Sequence, residues 1–383
     1  MVTSPLDPVT LDLSGDRIHA TYRLHGPPAR TTAILEQLVV EQTIEFPPEL
    51  VPDDDIRRHI IGRVEDLRDV SDDVVEAKVS YAEEIAGDQF PQLINVLFGN
   101  ISLVPGVRLV DLHLPDRLLS VFPGPQLGIA GLRERLEASD GPLLATALKP
   151  MGTPITRLGE IAYDLAVNGI HLVKDDHSFA TQPFASFRER VPQLADAVRR
   201  ASDDRTDGQA LYLPALNLPS EDLDAGIELA VAAGAGGLLL LPGLVGHDAM
   251  RRIAAQAPDG FVIMAHPSFL GGFVTDPTSG LDDGLLLGTL ARLAGADISI
   301  FPNHSGRFTF SPEVCSRIAE ACRRDLGDLA PCFPAPGGGM SVERVPEMVR
   351  FFGEDVCLLI GGDLYRGDVP TQVRRMVSAL EEV

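Results

Sequence analysis

Eight apolar runs alternating with eight amphipathic stretches predict an α/β protein that ends in a (β/α)8 TIM barrel. A small α+β domain of ferredoxin-like type, with an antiparallel sheet, is expected ahead of it. The runs are GPLLATALKP (141–150), IHLVKDDH (170–177), ALYLPALN (210–217), GGLLLLPG (236–243), FVIMAHPS (261–268), ADISIFPN (296–303), PCFPAPGGG (331–339) and VCLLIGGDL (356–364). They are continuous rather than alternating in polarity, as parallel strands buried on both faces must be. The segments between them, such as ITRLGEIAYDLAVNG and SFRERVPQLADAVRRA, repeat apolar residues at helical spacing, and TQVRRMVSALEEV closes the chain. An open doubly wound sheet is the competing architecture, but it rarely counts to eight so evenly. Residues 1–138 read differently. DRIHATYRLHG and AKVSYAEEIA alternate like half-exposed strands, TTAILEQLVVEQTI and DDIRRHIIGRVEDL mix helical and extended signals, and FGNISLVPGVRLVDLHLP leads toward the barrel. The expected domains are therefore 1–138 and 139–383.

Composition narrows the function. The 383 residues carry a formal charge of −23, which argues against nucleic-acid binding and against anionic membrane surfaces. Neither a basic-then-apolar leader nor an apolar run of membrane-spanning length is visible, so a cytoplasmic enzyme is expected. The four cysteines, Cys315, Cys322, Cys332 and Cys357, sit in apolar patterns and read as core residues of a reduced protein. Only three of the 32 basic residues are lysines: Lys78, Lys149 and Lys174. A protein that writes positive charge as arginine keeps lysine where an amine is needed, because an amine can lose its proton and react. Lys78 falls in the N-terminal strand pattern and reads as a solvated charge.

Barrel active sites lie at the C-terminal ends of the strands, and the polar residues of this chain collect there. The first run ends in Lys149 and the second in Lys174, Asp175, Asp176 and His177. The fifth ends in His266, and the sixth in Asn303 and His304 with Arg307 beyond. The seventh and eighth end in Gly337, Gly338, Gly339 and Gly361, Gly362, Asp363. Period-two alternation puts Lys174 and Asp176 on one face and Asp175 on the other. Two readings of that face stay open: Lys174 forms an ion pair with Asp176, or its neutral amine adds CO₂ to give a carbamate, an oxygen ligand suited to Mg²⁺. Glycines after the seventh and eighth strands let backbone N–H groups approach a phosphate. Single strand-end residues also serve as caps, and Asp363 reads as a helix N-cap.

PLLATALKP, GIHLVKDDHSFATQPFASFRERV, GADISIFPNHSGRF, FPAPGGGMSVERVPEMVRFFGED and LLIGGDL together resemble the large subunit of ribulose-bisphosphate carboxylase, and more closely its non-carboxylating relatives, the RuBisCO-like (form IV) proteins. VVEQTIEFP and INVLFGNISL resemble the N-terminal domain of that family. The resemblance implies one Mg²⁺ per site on carbamylated Lys174, Asp176 and His177. It implies Lys149 as the proton carrier at the enolisable carbon, and Gly338, Gly339, Gly361 and Gly362 as the cradle of a substrate phosphate. It also implies a homodimer, or an assembly of dimers, in which Glu41 and Asn95 complete the partner's site.

The departures from the carboxylase pattern carry as much weight. His177 stands where the carboxylase has a glutamate ligand, and Met151 where it has a second lysine. Arg307 stands where it has a mobile lysine, and the second phosphate site reads as about His266, Ile300 and Gly337. These imply a monophosphorylated substrate and no CO₂ fixation. VKDDH, MAHPSF, FPNHSGRF and PAPGGGM look like the branch that decarboxylates, or transcarboxylates and hydrolyses, 3-oxo-isoapionate 4-phosphate, with His177 acting as a ligand or as an acid. The alternatives are an enolase or isomerase of a methylthio-ribulose-type sugar phosphate, a non-catalytic regulatory member, and an unrelated Schiff-base aldolase barrel.

Overall fold

The computed structural model describes residues 6–304, 306, 308 and 310–380. They form two units: Met1–Phe122 with Leu270–Leu286, and Pro123–Phe269 with Leu287–Val383. The division falls at Phe122/Pro123 rather than near residue 138. The helix Gly128–Leu136 explains the shift, because Ile129, Leu132 and Leu136 belong to the barrel core.

In the N-terminal unit the chain runs β1 (Arg17–His25), a helix (Pro28–Glu41), β2 (Arg63–Ser71), β3 (Val74–Ala82), a helix (Phe90–Phe98) and β4 (Val107–His113). The sheet order is β4-β1-β3-β2, antiparallel at β1–β3, β1–β4 and β2–β3, and a two-residue strand Gly280–Leu281 joins β4 in parallel. Alternation buries Ile18, Ala20, Tyr22 and Leu24 of β1 with Ala77, Val79 and Tyr81 of β3. The Tyr22 hydroxyl donates to the Leu97 carbonyl at 2.7 Å, tying the helix Phe90–Phe98 to the sheet. β2 is exposed along its whole length, so its segment carries no buried face from which a strand could be read. β4 lies inside the stretch expected only to lead toward the barrel. Lys78 is exposed on β3, as expected.

The second unit is a ring of eight parallel strands: β5 (Leu143–Leu148), β6 (Leu172–Asp175), β7 (Leu211–Leu213), β8 (Gly237–Leu240), β9 (Val262–Ala265), β11 (Ile298–Pro302), β12 (Phe333–Gly337) and β13 (Cys357–Leu359), with Gly280–Leu281 counted as β10. Their order is β7-β6-β5-β13-β12-β11-β9-β8, and a parallel bridge between Ala215 and Leu239 closes β7 onto β8. Each expected run holds one of these strands. Helices follow them at Ile155–Val167, Phe187–Asp204, Leu223–Ala232, His247–Gln256, Pro312–Arg323, Val345–Phe352 and Val369–Leu380. The stretch LDDGLLLGTLARLAG departs from a regular helix and forms a π-turn at Leu285–Leu290.

The interior is filled by one residue set per strand, including Leu143 and Ala145, Leu172, Leu211 and Leu213, Leu239, Val262 and Met264, Ile298 and Ile300, Phe333 and Ala335, Cys357 and Leu359. The helix Gly128–Leu136 closes the N-terminal end. There the Asp297 carboxylate accepts the Leu127, Gly128 and Ile263 N–H groups at 2.8–2.9 Å. All four cysteines are buried free thiols. Among the described residues no helix is long and apolar enough to cross a membrane.

Candidate active site

Continuing the inward alternation past each strand end gives the lining of the open mouth. From Leu143 and Ala145 it passes through Ala147 to Lys149. From Leu172 it reaches Lys174 and Asp176, from Val262 and Met264 it reaches His266, and from Cys357 and Leu359 it reaches Gly361.

Lys174 is 2% exposed. Burial lowers its amine from the ordinary lysine value to about 8, with the nearby Lys149 charge pushing the same way and Asp176 pulling back. Beneath it, burial pushes the Cys357 thiol up to about 12. The ion pair of Lys174 with Asp176, one of the two readings of this face, does not form. Lys174 Nζ donates to the Asp175 carbonyl at 3.2 Å, and Asp176 Oδ2 is held instead by Lys149 Nζ at 2.6 Å. Lys149 gains that reach from β5, which lies beside β6 with Ala147 opposite Lys174. The other Asp176 oxygen accepts from the Ser178 N–H at 3.1 Å and its hydroxyl at 2.7 Å. Burial opposes the charge of Asp176, but Lys149 and Ser178 overcome it and hold the carboxyl well below the usual range.

His177 Nδ1 lies 3.3 Å from Asp176 Oδ1. Its ring stacks on His266, with centroids 4.5 Å apart and planes 12° from parallel. The Ser268 N–H donates to His266 Nδ1 at 3.2 Å, and its hydroxyl lies 2.9 Å from the same atom. Burial, then the Lys174 and His177 charges, push His266 down to about 2. With Nδ1 accepting from a backbone N–H, the neutral ring carries its proton on Nε2.

Asp175 turns into the barrel wall. It is fully buried and accepts from Arg190 Nε (3.2 Å), the Tyr212 hydroxyl (2.8 Å) and the Ala215 N–H (3.1 Å), with Arg190 Nη2 in ion-pair contact at 3.1 Å. Burial pushes its carboxyl up, yet three converging donors and the guanidinium charge are met in full only by the anion.

Gly338 and Gly339 have φ of +81° and +66°, the left-handed region that favours glycine. A Cβ on Gly306 would lie 3.0 Å from the Gly338 carbonyl, so the loops after β11 and β12 meet closely. A Cβ on Gly361 would lie 3.9 Å from Lys149 Cε, which puts that glycine beside the lysine. Gly362 begins the turn Gly362–Tyr365. Asp363 is not the cap of a helix after β13. It accepts the Val342 N–H at 3.0 Å and so ties the two glycine loops together. Asn303 and His304 are buried, with Asn303 Nδ2 directed at the Met340 and Met348 sulfurs. Met151 is exposed. Arg307 lies outside the described residues.

Glu41 and Asn95 belong to the N-terminal unit. Glu41 ends the helix Pro28–Glu41 and accepts from Asn100 at 3.1 Å. Asn95 lies in the helix Phe90–Phe98, and its carbonyl accepts from Gln42 Nε2 at 2.8 Å. Sequence reasoning missed Ser178 and Ser268, the hydroxyls that orient Asp176 and His266. The Asp-x-Ser and His-x-Ser spacings were the available signal, since short polar side chains bond two residues away in turns. It also missed Tyr365, whose hydroxyl donates to the Ala147 carbonyl at 2.9 Å and for which no local signal exists.

Among the described residues no group of three or more His, Cys, Asp or Glu side chains is arranged to hold a metal ion. Asp176 and His177 supply two donors on one side of the mouth. A third fits only if Lys174, on the same face, becomes an oxygen ligand. Its lowered amine meets that requirement, because CO₂ adds to the neutral form. If Lys174 takes up CO₂ in this way, activation by CO₂ and Mg²⁺ should accelerate about tenfold per pH unit below the amine's value and level off above about 8. Activation rates measured from pH 6 to 9.5 check this.

The eight-stranded ring agrees with what known proteins show. A family model described as "Ribulose bisphosphate carboxylase large chain, catalytic domain" matches residues 128–305. Ribulose bisphosphate carboxylase-like protein 1 of Rhodopseudomonas palustris is 40% identical over 92% of this chain and 94% of its own length. The 5-methylthioribulose-1-phosphate isomerase of Rhodospirillum rubrum is 38% identical over 91% of each chain. The crystal structure of a RuBisCO-like protein (MtnW) from Alicyclobacillus acidocaldarius superposes with a TM-score of 0.86 at 32% identity, covering 96% of this chain and 94% of that one. The chain belongs to the ribulose bisphosphate carboxylase large-chain family. Within it, the chain stands among the RuBisCO-like proteins.

Proposed function

We propose that this protein enolises a monophosphorylated ketose, moving a proton between neighbouring carbons as an isomerase of the 5-methylthioribulose 1-phosphate type, and does not fix CO₂. The observation that carries the reading is the Lys149–Asp176 contact of 2.6 Å at the mouth, above the buried Lys174. It sets the amine proposed as proton carrier beside the carboxylate proposed as metal ligand. Mg²⁺ held by Asp176, His177 and a carbamate on Lys174 would polarise the substrate carbonyl and stabilise the enolate. Once Asp176 is engaged in that way, Lys149 loses its carboxylate partner, and its amine is free to take the proton from the carbon beside the carbonyl. The neutral His266, stacked on His177, would return a proton or hold the enolate oxygen. Gly338, Gly339, Gly361 and Gly362 offer backbone N–H groups to the phosphate. The working unit is taken to be a homodimer in which Glu41 and Asn95 complete the partner's site.

The sugar-acid reading from the sequence motifs uses the same enolate but breaks a C–C bond to form it. Relatives named for a reaction include an isomerase and 2,3-diketo-5-methylthiopentyl-1-phosphate enolases, so proton transfer is preferred and decarboxylation becomes an arm of the test. Purified protein with Mg²⁺ and bicarbonate is followed by ¹H and ³¹P NMR on 5-methylthioribulose 1-phosphate and, separately, on 3-oxo-isoapionate 4-phosphate. Isomerised ketose phosphate with an intact carbon skeleton is the expected result. Carboxyl release from the sugar acid, with the ketose untouched, overturns the proposal.

A further inference from the structure

The loops around the mouth of the barrel fall into two chemically different sets. The loops after β12 and β13 carry the glycines and none of the large exposed apolar side chains, whereas the loops after β5, β6, β8, β9 and β11 carry Met151, Phe184, Leu244, Phe269 and Phe308. Around the ring, β8 lies four strands from β13 and stands opposite it, with β9 next to β8. Leu244, in the short helix Pro242–Val245 after β8, is 51% exposed, and Phe269, after β9, is 73% exposed.

Phe269 carries a second mark. Its φ is +71°, in a region that a bulky aromatic residue avoids and that persists only where the surroundings impose it. The imposing contacts are those of the site itself. Ser268 bonds through both its N–H and its hydroxyl to His266 Nδ1, and His266 is stacked on His177. The His266 ring therefore ties down the turn that holds Phe269 out. A strained backbone that presents an aromatic face to water is doubly unfavourable in the free protein. An apolar occupant offsets the second cost by covering that face.

We propose that Phe269, with Leu244 on the neighbouring loop, is the specificity-determining wall of this site. It receives the end of the substrate remote from the phosphate, and that end is a thioether or alkyl group rather than a hydroxyl or a second phosphate. This rests on the reading of the site as an enolising one with its phosphate on the β12 and β13 glycines.

Calorimetric titration with two unreactive alcohols, 5-methylthioribitol 1-phosphate and ribitol 1-phosphate, tests it without requiring turnover. The wild type should prefer the methylthio compound by about tenfold or more. Phe269→Gly accepts the positive φ without strain, so it should fold at least as well, and a thermal melt confirms that. The preference should fall to less than about threefold in this variant, while affinity for ribitol 1-phosphate stays within about twofold. Phe269→Asn, polar but also tolerant of this φ, should behave like the glycine variant. Equal binding of both alcohols by the wild type, or an undiminished preference in the variants, overturns the proposal. Discrimination without turnover of the ketose leaves the wall standing and defeats the enolising reading. Binding of neither alcohol defeats both.

Discussion

Replacing Lys149 by alanine should lower proton exchange at the substrate's enolisable carbon by about 10²–10⁴-fold, the usual contribution of a positioned acid or base. The fold should barely notice. Lys149 is part-exposed, and an ion pair of that kind stabilises by about 0–1 kcal/mol. The readout that separates this role from simple binding lies at Lys174. The Lys149 charge is one of the influences lowering that amine, and its removal also frees Asp176 to attract it. Both changes raise the Lys174 value, so the pH midpoint of CO₂ activation should move above about 8 in Lys149→Ala. An unmoved midpoint would separate the two lysines electrostatically and weaken the account of the site as one cluster. The same substitution removes the Lys149 hydrogen bond and charge that help hold the Asp176 carboxyl low.

Asp175→Ala should be the most damaging change for stability among the site-adjacent residues. It leaves the buried Arg190 guanidinium without its carboxylate, and breaking a buried pair in this way costs about 3–5 kcal/mol. It also removes the acceptor of the Tyr212 hydroxyl and of the Ala215 N–H. Urea denaturation should show the midpoint falling with little change in slope. Adding Arg190→Met to an Asp175→Leu background should recover a large part of the loss, because apolar residues of similar volume replace buried pairs at little cost. If Asp175→Ala unfolds like the wild type but loses metal-dependent activity, Asp175 faces the mouth and the assignment of the two strand faces is wrong.

The contrast between these neighbours shows what the sequence makes legible. Period-two alternation separates Asp175 from Lys174 and Asp176 without any structure, and the barrel rule sends the strand ends to one mouth. Alternation is local, however, and partners are not. Arg190 meets Asp175 only after the helix Phe187–Asp204 docks on the wall, and Phe179 and Phe187 pack on its guanidinium. Lys149 takes Asp176 from Lys174 because β5 and β6 are neighbours in register. The spacing of KDDH could not reveal that. The His177–His266 stack likewise joins the ends of strands on different sides of the ring. In the N-terminal unit, β2 was unreadable because nothing along it is buried. The eight barrel strands were readable because each is a continuous run of buried residues.

The central claim is that buried Lys174, acting with Asp176 and Lys149, supports metal-dependent enolisation of a ketose phosphate. It is tested most directly by ¹H NMR of 5-methylthioribulose 1-phosphate in D₂O with the wild type and Lys174→Ala, each with and without Mg²⁺ and bicarbonate. The account predicts deuterium entering beside the carbonyl with the wild type only when both Mg²⁺ and bicarbonate are present, and none with the variant. Exchange by Lys174→Ala at the wild-type rate, or exchange indifferent to Mg²⁺ and bicarbonate, would contradict it.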